Sequence, residues 1–355
     1  MIQTTGADMR FLIAFMIAGS LHAASNESGS WDPKAAANYL DQRAAWWIGW
    51  KSAARENGTF CVSCHTTLPY ALARPAAASN QRVMENVTKR VRMWSEMKPL
   101  YPGQHAEESR GSEAILNAFL LMARDARLGQ FSGDARMAMD QMLALQDKSG
   151  EQAGSFVWMN FHYQPWEAED ARFWGATMAA AALGMAPAEY RLGTAAAQVD
   201  LLRVYLAPHA EGQTLFNRAS LLWATTKLKG VLRPAVQALI QKEIVGRQRA
   251  DGGWDALVLV PSGWKRRDET PLETKGDGYA TAFMAYVLRE SGLGMGDLPL
   301  GKALGWLKAN QDRESGSWPA WSLNKQRDPK SDAGKFMRDA ATAYAVMALQ
   351  DEKGR

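Results

Sequence analysis

Three stretches of the chain share one pattern: a helix ends in glutamine, a polar loop follows, and the loop closes on glycine and an aromatic residue. They are LQDKSGEQAGSFVW around Gln146, RQRADGGWDAL around Gln248 and NQDRESGSWPAW around Gln311. The helices before the loops are one-sided. PAVQALIQKEIVGRQ places Val236, Ile240 and Ile244 on one face, and DLPLGKALGWLKANQ does the same with Leu300, Leu304 and Leu307. The stretches after the loops, EDARFWGATMAAAALGM, GDGYATAFMAYVLRES and MRDAATAYAVMALQ, are apolar nearly all round, as is the earlier SRGSEAILNAFLLMARD. A helix of that kind is buried on every side. Outer and inner helices therefore alternate.

Each inner helix carries an acid near its start: Glu113, Asp170, Asp277 and Asp339. The middle interval is nearly double the other two, and EGQTLFNRASLLWATTKL fills it, with Asn217 in the place of the acid. One interval before Glu113, TLPYALARPAAA supplies a first inner helix. The pattern predicts about six outer–inner hairpins, the outer helices beginning near residues 33, 80, 131, 190, 234 and 297. An open stack of such hairpins would expose an apolar end, and ring closure removes both ends. The expected fold is all-α, a single α/α barrel (toroid) over residues 25–355, with no Pro-, Gly- or Ser-rich linker dividing it. For Glu113, Asp277 and Asp339 the ordinary role of an acid in a first helical turn, complementing the helix dipole, accounts for the position.

RQRADGGW and NQDRESGSW resemble the Gln–Trp repeats of the squalene–hopene cyclase and protein prenyltransferase superfamily. QPWEAEDARFWGATMAA looks like the cyclase stretch in which an acidic cluster opens an inner helix. The resemblance implies a terpene-cyclase-like barrel in which glutamine and tryptophan tie helix ends together. It also implies Asp170 and Glu169 as acid groups at the mouth. The run Glu167-Ala168-Glu169-Asp170 departs from the family's D-x-D-D, and the chain has length for one barrel only.

Two further signals concern compartment and chemistry. Arg10 precedes FLIAFMIAGSL, and LHAAS then offers a small-residue cleavage site, the layout of a secretory signal over residues 1–24. The run is too short to span a bilayer and no later segment reaches that length, so a periplasmic or secreted protein without a transmembrane segment is expected. The only two cysteines stand in C-V-S-C-H at 61–65, in the loop of the first hairpin. Zinc would lack a fourth ligand, and a redox disulfide would lack its usual βαβ setting. The motif matches covalent haem c attachment, one haem bound through Cys61 and Cys64 with His65 as proximal iron ligand.

His105, in YPGQHAEES, is the expected distal ligand, and His162, in VWMNFHYQPWEAED, the reserve. These readings favour an exported mono-haem redox protein. The haem would stand at the mouth of a cavity lined by Trp, Phe and Met, as an oxidoreductase acting on or draining electrons from an apolar ligand, with a periplasmic redox partner. A non-catalytic electron-transfer cytochrome using the barrel as scaffold is the alternative. A cyclase-like isoprenoid enzyme or carrier is the third. A net charge of +4 on 355 residues, with no basic block interleaved with aromatics, gives no support for nucleic-acid binding.

Overall fold

The structure is a computed structural model that describes residues 30–350, so the secretory signal expected over 1–24 lies outside the described residues. Twelve α-helices are described: α1 Pro33–Gly49, α2 Thr67–Ala73, α3 Ala78–Arg92, α4 Ala106–Arg127, α5 Gly133–Ala144, α6 Ala171–Met185, α7 Ala196–His209, α8 Leu215–Lys227, α9 Pro234–Gly246, α10 Gly278–Glu290, α11 Leu298–Ala309 and α12 Phe336–Leu349. Two short strands, Ala54–Arg55 and Thr59–Phe60, pair antiparallel in the loop after α1.

Even-numbered helices form the inner layer. Every residue of α10 from Gly278 to Leu288 is buried, whereas α9 buries only Ile240 and Ile244. The contrast follows the sequence pattern, because a helix apolar all round needs neighbours on every side. Inner helices touch in the order α2, α4, α6, α8, α10, α12, and α12 packs back against α2. The architecture is an all-α toroid.

Outer helices begin close to the expected positions, with one clear difference. The start expected near 190 falls on a π-helical turn, Tyr190–Thr194, which precedes α7. The first inner helix is also short. It stops at Ala73 because Pro75 disfavours helical geometry at the residue before it, and Arg74 leaves the α region at φ −128°, ψ 56°.

The three Gln–Gly–aromatic loops perform one mechanical task. Gln248 Nε2 donates to Gly252 O (2.9 Å) in its own loop and to Pro299 O (2.8 Å) at the start of α11. Gln146 Nε2 does the same with Gly154 O and Gln198 O of α7, both at 3.0 Å. Gln311 Nε2 donates to Gly316 O and to Asp32 O, both at 2.9 Å, while its Oε1 accepts from Asp32 N at 2.6 Å. Asp32 is the N-cap of α1, so this third staple joins the last outer helix to the first.

The loop glycines stand at positive φ against the next outer helix. A Cβ on Gly252 (φ +95°) would lie 2.5 Å from Lys302 O, and one on Gly316 (φ +76°) would lie 2.4 Å from Ala35. Both the dihedral and the approach exclude a side chain there. Behind each glycine a fully buried tryptophan caps the preceding helix: Trp254 Nε1 donates to Ile244 O (2.8 Å) and Trp318 Nε1 to Leu307 O (2.7 Å).

Trp254→Ala and Trp318→Ala should each lower stability by about 3–5 kcal/mol, the usual cost of deleting a buried aromatic. Denaturant unfolding of the two variants against the parent measures this. Parent-like midpoints would show that these rings do not hold the loops.

Candidate functional site

Inner helices open onto a cavity of about 320 Å³ at the mouth of the ring. Four connections and two helices wall it: the loop after α1, the loop from α5 to α6, the loop from α11 to α12, the loop from α3 to α4, Ser112 and Leu116 of α4, and Phe336 at the head of α12. Backbone bonds fix the first loop. Trp47 Nε1 donates to Cys61 O (2.7 Å), and the Asn86 side chain bonds both Phe60 N (2.8 Å) and Phe60 O (3.0 Å). In the second loop Trp158 Nε1 donates to Trp166 O at 2.8 Å. Gly175 of α6 makes room for that indole, since a Cβ there would meet the Trp158 ring at 2.4 Å. Asn324 then ties the second loop to the third, accepting from Gln164 N and donating to Gln164 O, both at 2.8 Å.

His65 lines this cavity, and its state is set from behind. Asp339 of α12 accepts from Arg43 Nε (2.9 Å), Tyr39 Oη (2.8 Å) and Thr66 Oγ1 (2.7 Å). Thr66 has therefore committed its proton to Asp339, so its oxygen accepts from His65 Nδ1–H at 2.8 Å. The Nε2 atom is left as the basic nitrogen. The ring stacks on Phe336 with centroids 3.9 Å apart and meets the Trp47 ring edge-on at 5.0 Å. Burial, with a smaller contribution from Arg43, pushes the imidazole down to about 3, so it is neutral at ordinary pH.

Glu167 faces the same cavity from the second loop. Its backbone is pinned in a bridge with Tyr163, each N–H donating to the other's carbonyl at 2.8–2.9 Å. The carboxyl is half-buried among the aromatic walls, and burial pushes it up to about 7. Cys61 and Cys64 are free thiols on the cavity wall; burial raises Cys61 to about 12 and raises Cys64 as well, so both are protonated. The cavity thus holds a neutral base and a carboxylic acid that keeps its proton up to neutrality.

Residues expected at the site divide clearly. Cys61, Cys64 and His65 come together on the cavity wall. Asp170 and Glu169 do not join them. They border a neighbouring hollow with His162, where Asn217 Nδ2 donates to Asp170 Oδ2 at 3.1 Å. The Glu169 side chain is 82% exposed, 3.4 Å from an exposed His162. His105 hydrogen-bonds Glu108 (2.9 Å) and packs on Phe161, which stands between it and the cavity.

Among the other acids, Asp277 caps α10 as expected, accepting from Tyr279 N and Ala280 N at 2.9 Å. Glu113 instead lies inside α4, ion-paired with Arg90. Sequence reasoning passed over Glu167, although QPWE sets it beside Trp166, where loss of water alone raises a carboxyl pKa.

No family model matches the chain, and no curated protein does. Solved structures do. A polysaccharide lyase matches at TM-score 0.49 and 12% identity, over 88% of this chain and 96% of its own. A glycosidase matches at 0.49 and 12%, over 89% and 97%, and a glycosidase in complex with glucose at 0.48 and 12%, over 90% and 97%. Likeness of that degree carries no residue roles across.

These findings correct three expectations. The matching structures are named as a polysaccharide lyase and glycosidases, none as a terpene cyclase, prenyltransferase or cytochrome, and the superfamily resemblance is withdrawn. The isoprenoid-cyclase reading falls with it, because Glu169 and Asp170 diverge from the cavity and cannot poise one strongly acidic proton. The haem redox reading is withdrawn as well, both as oxidoreductase and as electron-transfer cytochrome. Among the described residues no group of three or more His, Cys, Asp or Glu is arranged to hold a metal ion. His105 and His162 do not oppose His65, so the residues do not fit an iron held between two histidines.

The raised Glu167 pKa has a stability consequence. The native state keeps a proton that the unfolded chain releases near 4.5, so Glu167 makes the fold progressively less stable as pH rises from about 4.5 to about 7. Urea unfolding across that range should show the wild type losing stability relative to Glu167→Gln. Parallel curves would mean that Glu167 titrates as an exposed acid.

Proposed function

We propose that this chain is an exported carbohydrate-active enzyme, built on a ring of six helical hairpins, that cleaves a glycosidic bond by general acid–base catalysis in the mouth cavity. The observation that carries the reading is the meeting of neutral His65 and protonated Glu167 in one aromatic-walled cavity. Trp50 and Trp166 offer flat apolar surfaces suited to the C–H faces of a pyranose, and Gln164 and Asn324 offer amides for its hydroxyls. The apolar run at 11–21 followed by LHAAS supports export.

Two-carboxylate glycoside hydrolysis needs a second acid flanking the bond, and Glu167 is the one carboxyl among the residues lining this cavity. Elimination suits the donor set better. Arg327 lines the cavity with no ion pair among the described residues, and its guanidinium would neutralise a uronate carboxylate. His65 Nε2 would then remove the proton on the carbon next to that carboxylate. The electron pair forms the ring double bond as the glycosidic C–O bond breaks, and Glu167 gives its proton to the leaving oxygen. Asp339, through Thr66, stabilises the imidazolium that forms.

The test is incubation of the purified protein with uronic-acid polysaccharides and with neutral glucans, reading new reducing ends and the ultraviolet absorbance of the new double bond. Cleavage of an acidic polymer with double-bond formation is expected, and Glu167→Gln and His65→Gln should each slow it by about 10²–10⁴-fold. Cleavage should fail above about pH 7, where Glu167 loses its proton, and again towards pH 3, where His65 gains one. Reducing ends without a double bond would make it a hydrolase. No cleavage of any polymer, or full activity in both variants, would end the proposal.

A further inference from the structure

A second hollow lies at the opposite end of the ring, where the inner helices finish. The C-terminal parts of α2, α4, α6, α8, α10 and α12 contribute to its lining, and its volume is about 690 Å³. Ligand cavities usually fall between about 300 and 1,000 Å³, so this one is large enough for a small molecule and roomier than the mouth. Its depth is apolar. Phe119 and Trp223 meet edge to face at 5.9 Å, Tyr286 lies 6.3 Å from Trp223, and Met185 and Met347 complete the surface.

Its rim carries three cations, two of them paired with carboxylates. Arg74 is paired with Asp41 at 2.8 Å and Lys227 with Glu290 at 3.0 Å. The Arg127 side chain, exposed on the last turn of α4, has no ion pair or hydrogen bond among the described residues. An anion placed beside this unpaired guanidinium gains a charge-assisted hydrogen bond. Trp223 Nε1, buried at the same hollow, likewise has no partner. The inner helices end here with their partial negative charges, so a multiply charged anion is disfavoured. For one carboxylate at the rim the repulsion is smaller, and Arg127 offsets it.

We propose that this hollow binds a long-chain aliphatic carboxylate, its chain lying on Phe119, Trp223 and Tyr286 and its headgroup on Arg127. The site is separate from the mouth cavity and does not depend on the activity proposed there.

Titration calorimetry of the full chain with dodecanoate, kept below its micelle concentration, tests the site. One equivalent should bind. Arg127→Gln, a change at an exposed position, should weaken dodecanoate about tenfold or more while altering dodecanol binding by less than about twofold. Ala123→Trp fills the hollow from α4 and should abolish both, with circular dichroism melting confirming that each variant is folded. Glu167→Gln, in the mouth cavity, should leave dodecanoate binding unchanged. Any of four results would overturn the proposal: no dodecanoate binding, equal affinity for Arg127→Gln, dodecylammonium binding as tightly as dodecanoate, or loss of binding in Glu167→Gln but not in Ala123→Trp.

Discussion

One glutamine side chain fixes how the two ends of the ring meet, where α12 packs back against α1 and α2. Gln311 bonds both backbone groups of Asp32 while holding its own loop through Gly316. Gln146 and Gln248 make the equivalent bonds to the outer helix that follows each of them. A hydrogen bond in water contributes about 1 kcal/mol net, so the staples do not supply the bulk of the stability. Their contribution is register. Burial of α6, α8, α10 and α12 drives collapse, and the staples select which helix ends meet.

Register matters because the mouth cavity is assembled from loops. The residues that line it come from segments that share no local structure, and each loop is held by bonds reaching outside itself. Asn324 and Gln164 exchange two backbone-to-side-chain bonds across 160 positions of sequence. Trp158 requires Gly175 on the helix behind it. An aromatic wall of this kind expels water, and exclusion of water moves His65 and Glu167 toward their neutral forms. Packing and chemistry at the mouth are therefore one effect.

Most of the fold was legible in the sequence. Alanine-rich stretches apolar all round could only be inner helices, and the Gln–Gly–aromatic loops marked the turns between layers. Boundaries slipped where local chemistry intervened, at the π-helical turn before α7 and at Pro75 after α2. The candidate site was less legible. C-V-S-C-H announces which residues stand side by side and says nothing of what faces them. His105 and His162 sit in the expected loops, yet Phe161 and an outward turn keep them from the cavity. Glu167 was hidden for the opposite reason: within Glu167-Ala168-Glu169-Asp170 the acids look equivalent, and only the fold turns Glu167 into the mouth cavity and the other two to a neighbouring hollow.

The Asp339–Thr66 bond spans 273 positions of sequence, and the ring stacked on His65 belongs to Phe336. A helical protein normally draws on contacts between near neighbours and folds fast. Here the imidazole emerges early in synthesis, while the carboxylate that fixes its tautomer and the ring that covers it arrive with the last described helix. For most of the time on the ribosome the first hairpin carries two free thiols and an uncovered histidine. The site takes its final geometry only as α12 docks against α2, so the first hairpin depends on the last one for the shape of its own cavity wall.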